Sequence, residues 1–160
     1  MSYFAATFAR GSSRIWTGSE RSLDDIEGLE DLVEVMHDIA TGDEPVLFFL
    51  EENDEWFAVI RVDGQGEPGV FISDLRAPLS SDVAAMIHEG VGEHAESEEE
   101  SEPARAAAGE PGGDTSLLAD LDMSADELVE LCVEEGLLPS DALAMLGERL
   151  GFAEEVDRFR

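Results

Sequence analysis

No lysine occurs anywhere in the chain, and all nine of its basic residues are arginine. Against them stand 39 acidic residues, for a formal net charge of −30. A phosphate backbone is gripped by clusters of Lys and Arg whose contacts release counterions, and the sequence offers no such cluster. Direct nucleic-acid binding is therefore not expected, and attraction to anionic membrane surfaces is disfavoured for the same reason. Cysteine is nearly missing as well. Cys132 stands alone, which rules out an internal disulfide and a thiolate zinc cluster. No segment approaches the roughly 18 apolar residues of a membrane span. Met1-Ser2-Tyr3-Phe4 lacks the basic start and apolar run of a secretory leader. A soluble cytoplasmic protein is the expectation.

What the chain has in abundance is negative charge, and it is spread along the whole length. Residues 1–88 carry 18 acids and five arginines, residues 89–114 nine and one, and residues 115–160 twelve and three. Each part is anionic in its own right. A positively charged protein is the natural complement, with attraction that weakens in salt.

The hydrophobic pattern divides the chain into an α+β domain over 1–88, an acidic linker over 89–114 and a helical module over 115–160. In the first, SYFAATFA suits a strand, and Arg14-Ile15-Trp16-Thr17 its hairpin return. Leu23, Ile26, Leu29, Val33, Met36 and Ile39 recur at helical steps, with Ser22 as a candidate cap and Gly42 as a stop. Three strands follow: the continuous apolar run Pro45–Leu50, then Trp56–Val62, then Val70–Ser73, separated by polar and glycine-rich turns. Residues 79–88 read as a short second helix. The order β-β-α-β-β-β-α predicts an antiparallel sheet carrying helices, an order that profilin-like, roadblock-like and longin-like domains share.

Glu, Ser, Ala, Gly and Pro dominate 89–114, and such a composition does not bury enough to offset its ordering entropy. A flexible linker is expected there. Beyond it, Leu117, Leu118 and Leu121 begin a short helix. Ser124-Ala125-Asp126-Glu127 is a capping box ahead of Leu128, Leu131 and Cys132. Ala142, Leu143, Leu146 and Leu150 mark a further helix after Pro139. Helices this short are marginal alone, so their leucines need either the first domain or a partner.

Several short patterns resemble chemistry and fail on inspection. His94-Ala95-Glu96 matches the first half of a zinc deaminase site, but such a site also requires a downstream P-C-x-x-C. Leu131-Cys132-Val133 supplies neither the proline nor the second thiol. His37 reads as a boundary histidine, and His88 with His94 as at most an adventitious metal site. Glu51, Glu52, Asp54 and Glu55 form a solvated turn without the calcium-loop pattern. Asp63-Gly64-Gln65-Gly66 is hairpin chemistry and not a phosphate loop. Cys132 falls on the apolar side of its helix, as a small hydrophobe would. A helix-turn-helix reading of the C-terminal helices leaves only Arg149 to meet phosphates, against Asp141 and Glu148. No catalytic, cofactor-binding or metal residue is expected.

Partner contacts remain. Trp16, Trp56, Phe57 and Phe71 belong to the core pattern. Trp16 and Trp56, at strand ends beside turns, are the aromatics best placed to anchor a partner. Leu128, Leu143 and Leu146 are the helical candidates.

Taken together, SYFAATFAR, WTGSE, LDDIEGLEDL, GDEPVLFFLEENDEWFAVIRVDG, VFISD and LLADLDMSADELVELCVEEGLLPSDALAMLGERLGF resemble the bacterial tRNA adenosine deaminase-associated proteins. The resemblance spans nearly the whole chain except the acidic linker, and its most specific part is EWFAVIRVDG with its acidic turn. It implies an accessory role beside the enzyme that converts the wobble adenosine of tRNA to inosine, and it carries over no catalytic residues. The resulting expectation is a non-enzymatic acidic protein, without cofactor, that binds a basic partner such as that deaminase. The alternative is a scaffold domain that dimerises through a sheet edge, unrelated to tRNA.

Overall fold

A computed structural model of the chain describes residues 3–11, 15–22, 26–40, 42, 44–63, 68–74, 77, 81–94, 112–113, 117–121, 123–133 and 137–158, with side chains of the 81–94 segment described as far as His88. The apolar opening forms β1 (Tyr3–Arg10), which pairs with β2 (Trp16–Glu20) on one side and β3 (Pro45–Glu52) on the other. Beyond β3 lie β4 (Trp56–Asp63), β5 (Gly69–Ile72) and a two-residue β6 (Gly112–Gly113). The sheet runs β2-β1-β3-β4-β5-β6 and is antiparallel at every pair. Helices α1 (Leu29–Ile39) and α2 (Asp82–His94) interrupt the strands, and α3 (Ala125–Val133), α4 (Pro139–Leu150) and α5 (Ala153–Arg158) close the chain. This is the α+β class and element order read from the residue pattern, with one more strand.

All eight residues of β3 are buried. Because side chains alternate across a strand, a strand buried throughout must be covered on both faces. Val46, Phe48 and Leu50 point to one side, where Leu32 and Met36 of α1 and Ala84 and Ile87 of α2 pack with Ala58, Ile60 and Ile72. Leu47 and Phe49 point to the other, together with Phe8, Phe57, Val59 and Phe71. Leu128, Leu143, Leu146, Phe152 and Val156 of the C-terminal segment cover that second face. Of the two destinations open to those leucines, they occupy the sheet.

The hairpin between β3 and β4 explains how the C-terminal helices find their place. Asn53 and Asp54 both take positive φ, 56° and 57°, the backbone that a tight turn between twisted strands favours and that Asn and Asp tolerate best. Glu55 N–H then donates to the Glu52 carbonyl at 2.9 Å. At the turn's tip the Asp54 carboxylate accepts from Ser140 N–H at 3.2 Å, satisfying one of the orphan donors at the start of α4. At the far end, Gly147 lets α4 approach α5: a Cβ there would meet Val156 Cγ2 at 2.8 Å. The expected capping box is present, with Glu127 N–H donating to Ser124 Oγ and Ser124 N–H donating to Glu127 Oε1.

A second tie crosses the layers. The Arg61 guanidinium on β4 donates to the Leu117 carbonyl at 2.9 Å and to both oxygens of Asp120, at 2.6 and 2.9 Å. Asp120 belongs to a 3-10 turn, Ala119–Leu121. Hydrogen bonding and charge from Arg61 hold the Asp120 carboxyl below the usual carboxylate range, against the opposing effect of partial burial. A depressed folded pKa means that this contribution is complete above the unfolded value of about 3.9 and is lost as pH falls through the folded value. Asp120→Asn should therefore destabilise the protein near neutral pH by about 1 kcal/mol, a small figure because Asp120 is largely solvent-exposed. The gap between variant and parent in urea unfolding should close as pH falls through the depressed folded value of Asp120. A gap unchanged by acid would mean that the ion pair contributes nothing.

Four sequence expectations shift. The first helix begins at Leu29 and not near Leu23, with Gly28 in extended backbone as its N-cap. Glycine is the poorest helix former after proline, and it breaks a pattern whose spacing otherwise continues. Ile26 still packs on the core from outside the helix; Leu23, Asp24 and Asp25 lie outside the described residues. The return strand starts at Trp16 and continues to Glu20, later than the expected Arg14–Thr17. The second helix starts at Asp82 and runs on to His94, six residues into the segment read as a linker. Gly112 and Gly113, near the linker's other end, pair with Ile72 and Phe71. Gly113 has φ +95°, and a Cβ there would lie 2.3 Å from the Val70 carbonyl oxygen, so only glycine fits. Residues 95–111, the heart of the expected flexible acidic linker, lie outside the described residues.

Candidate interaction surface

The positive charges of the described residues are spent inside the fold. Arg10 pairs with Glu44 at 2.8 Å and lies over the Trp16 ring, 5.7 Å from its centroid. Arg21 donates to Thr7 Oγ1 at 3.1 Å. Arg61 holds Asp63 and Asp120. Arg149 pairs with Glu127 at 2.6 Å and Arg158 with Glu155 at 2.8 Å. Every described arginine thus has an intramolecular partner. The described carboxylates outnumber them and reach solvent, except Glu51 and Glu52, which are buried and not part of a solvated turn as their sequence suggests. On α1, exposed Glu30, Glu34 and Asp38 stand at four-residue steps along one face, where like charges repel slightly. On the opposite side of the sheet, Asp126, Glu130, Glu148, Glu154 and Asp157 are exposed on α3, α4 and α5.

Of the expected partner contacts, only Trp16 reaches solvent. Trp56 is 3% exposed. Its indole N–H donates at 3.1 Å to Glu52, which also accepts from Ser81 Oγ at 2.6 Å, the residue that caps α2. A strand end beside a turn is not an open position when a helix begins over it. Leu128, Leu143 and Leu146 are each at most 1% exposed, in the core between the C-terminal helices and the sheet. These four side chains pack inside the fold.

Trp16 is half-buried beside an open groove of about 650 Å³ between the start of β2 and the turn from α4 to α5. Phe152 packs against it, ring centroids 4.8 Å apart. Ile15, 66% exposed, stands at the rim with Glu148, Glu154 and Glu155. The turn is made by Gly151 in the left-handed region, φ 97°, whose N–H returns to the Gly147 carbonyl. Glu155 Oε1 accepts from Gly18 N–H of the edge strand at 3.0 Å. Sequence pattern did not single out Phe152 or the three glutamates; the clue was an aromatic residue directly after a helix-ending glycine.

Cys132 has no features of a nucleophile. Burial, aided by the charge of Asp74, pushes its thiol up to about 12, and its S–H donates to the Leu128 carbonyl at 3.6 Å. Alkylation by iodoacetamide at pH 8 should accordingly run far slower than for a free thiol of pKa about 8.5; modification at the free-thiol rate would contradict this placement. The His94-Ala95-Glu96 pattern falls at the end of α2 and beyond the described side chains. Among the described residues, no group of three His, Cys, Asp or Glu side chains is arranged to hold a metal ion. Nor is any helix among them long and apolar enough to cross a membrane.

Neither the curated proteins nor the solved structures contain a match to this chain. A family does match, over residues 3–153, and it is the one that the sequence motifs resemble. The chain belongs to the Rv3753c-like tRNA adenosine deaminase-associated protein family.

Proposed function

We propose that this protein is a non-enzymatic accessory factor of the cytoplasm that binds a tRNA adenosine deaminase, or another tRNA-handling protein, by offering carboxylate surface to a basic partner. The family to which it belongs is described by association with a tRNA adenosine deaminase and not as a deaminase. One observation carries the electrostatic part: every described arginine has a partner inside the fold, while acids of both layers reach solvent. An enzyme that grips tRNA presents the opposite charge, since phosphate contacts require cations. Complementary potentials of this kind raise association rates and set partner choice.

Such binding uses the surface that tRNA would use. The deaminase should be retained on the immobilised protein at low salt, and added tRNA should displace it. A stable ternary complex would remove the competitive form of the proposal. Absence of retention at low salt would remove the association itself. Dimerisation through a sheet edge, the other reading of the sequence, has less support. At β2 the outward Gly18 N–H already donates to Glu155, which blunts that edge in the way that natural sheets avoid unwanted pairing.

A further inference from the structure

The groove beside Trp16 combines features that a general acidic surface lacks. Its floor is aromatic: Phe152 stacks on Phe8 with centroids 4.6 Å apart and tilts against Trp16. Ile15 leaves two-thirds of its surface open at the rim, more than any other large hydrophobic residue among those described. Three glutamates line the groove, and no cationic side chain does among the described residues. Trp16 already carries one guanidinium over its ring, from Arg10. The apolar surface left open here is small, and the sign of the ring around it selects what enters.

We infer that this groove takes a segment of a partner protein in which an aliphatic side chain is flanked by arginine or lysine. The aliphatic group covers Ile15 and the open edge of Trp16, which the buried Phe152 ring backs, and the flanking cations meet Glu148 and Glu154. This rests on the accessory reading above for the identity of the partner, but not for the chemistry of the groove. Burial of the apolar group supplies affinity, and the glutamates supply register and selection.

The test uses the full-length protein and the capped peptide Arg-Lys-Leu-Leu-Lys-Arg, followed by backbone amide shifts. The peptide should move the amides of Ile15, Trp16, Gly151 and Phe152. Replacing its leucines by serine should weaken binding about tenfold or more, the effect of losing one buried aliphatic side chain. The paired reversal Glu148→Arg with Glu154→Arg should also weaken it about tenfold. An equal reversal on the far side of the sheet, Glu30→Arg with Glu34→Arg, should change it by less than about twofold at physiological salt. All four glutamates are exposed, so the fold should tolerate each pair. Shifts scattered over the acidic surface, equal loss from both reversals, or no binding would each overturn the groove. Retention of the deaminase separates the two levels. If the enzyme is held equally by the parent and by the Glu148→Arg/Glu154→Arg variant, the groove loses its role while the accessory reading stands. If the peptide seats in the groove and the enzyme is never held, the accessory reading fails and the groove remains.

Discussion

Replacing Phe152 by alanine is expected to cost about 3–5 kcal/mol, the range for truncating a fully buried aromatic residue. Phe152 is the hinge of the second core. Its ring contacts those of Phe8, Phe49 and Trp16, with centroids at 4.6, 5.5 and 4.8 Å. It therefore joins β1, β2 and β3 to the turn between α4 and α5. Its N–H also closes that turn by donating to the Gly147 carbonyl at 2.8 Å. Removing the ring leaves a cavity between sheet and helices, and packed surroundings relax into it only in part. A domain is stable by only about 5–15 kcal/mol, so the loss should be plain in the urea midpoint. It should also promote aggregation, because Phe49, Phe57 and Phe71 lie beneath the displaced helices. A cost below about 1 kcal/mol would mean that the C-terminal helices are not part of one cooperative unit with the sheet.

Adding salt should stabilise the protein. Most surface ion pairs are weakened by screening, and the pairs at Arg10, Arg149 and Arg158 should be weakened too. Against that stands the repulsion among 39 acids, offset by only nine arginines. Compacting so many like charges opposes folding, and the five ion pairs among the described residues, at about 0–1 kcal/mol each, do not balance it. Shortening the Debye length from about 30 Å at 0.01 M to about 8 Å at 0.15 M removes most of the repulsion across the molecule. A gain of roughly 2 kcal/mol is expected, or about 4–8 °C in Tm for a chain of this size. Calorimetry at the two ionic strengths measures it. A Tm that falls with salt would show that the attractive pairs dominate.

Much of this architecture is legible in the residues because each element announces itself through burial. The run Pro45–Leu50 has no polar face, and such a strand is stable only between two apolar layers. The leucines at 128, 143 and 146 are the material of one of those layers, which their helical spacing alone did not reveal: an apolar stripe states that something covers it, not what. That gap also accounts for Trp56. Position beside a turn signals exposure only if nothing lies above, and the helix capped by Ser81 lies above. Gly28 shortened the first helix without disturbing the spacing of Ile26, which still reaches the core. Strand β6 carried no signal at all, since two glycines have no side chains to alternate. The groove was half legible, through Trp16. Its other residues come together from a turn more than a hundred positions away, and no local pattern connects them.

We propose above that the protein works by presenting negative surface to a cationic partner. Affinity for the tRNA adenosine deaminase, measured as a function of salt concentration, tests it most directly. Measurable binding at low salt is expected, weakening steeply and continuously as salt is raised. Binding that is indifferent to salt, or no binding at any salt concentration, would contradict it.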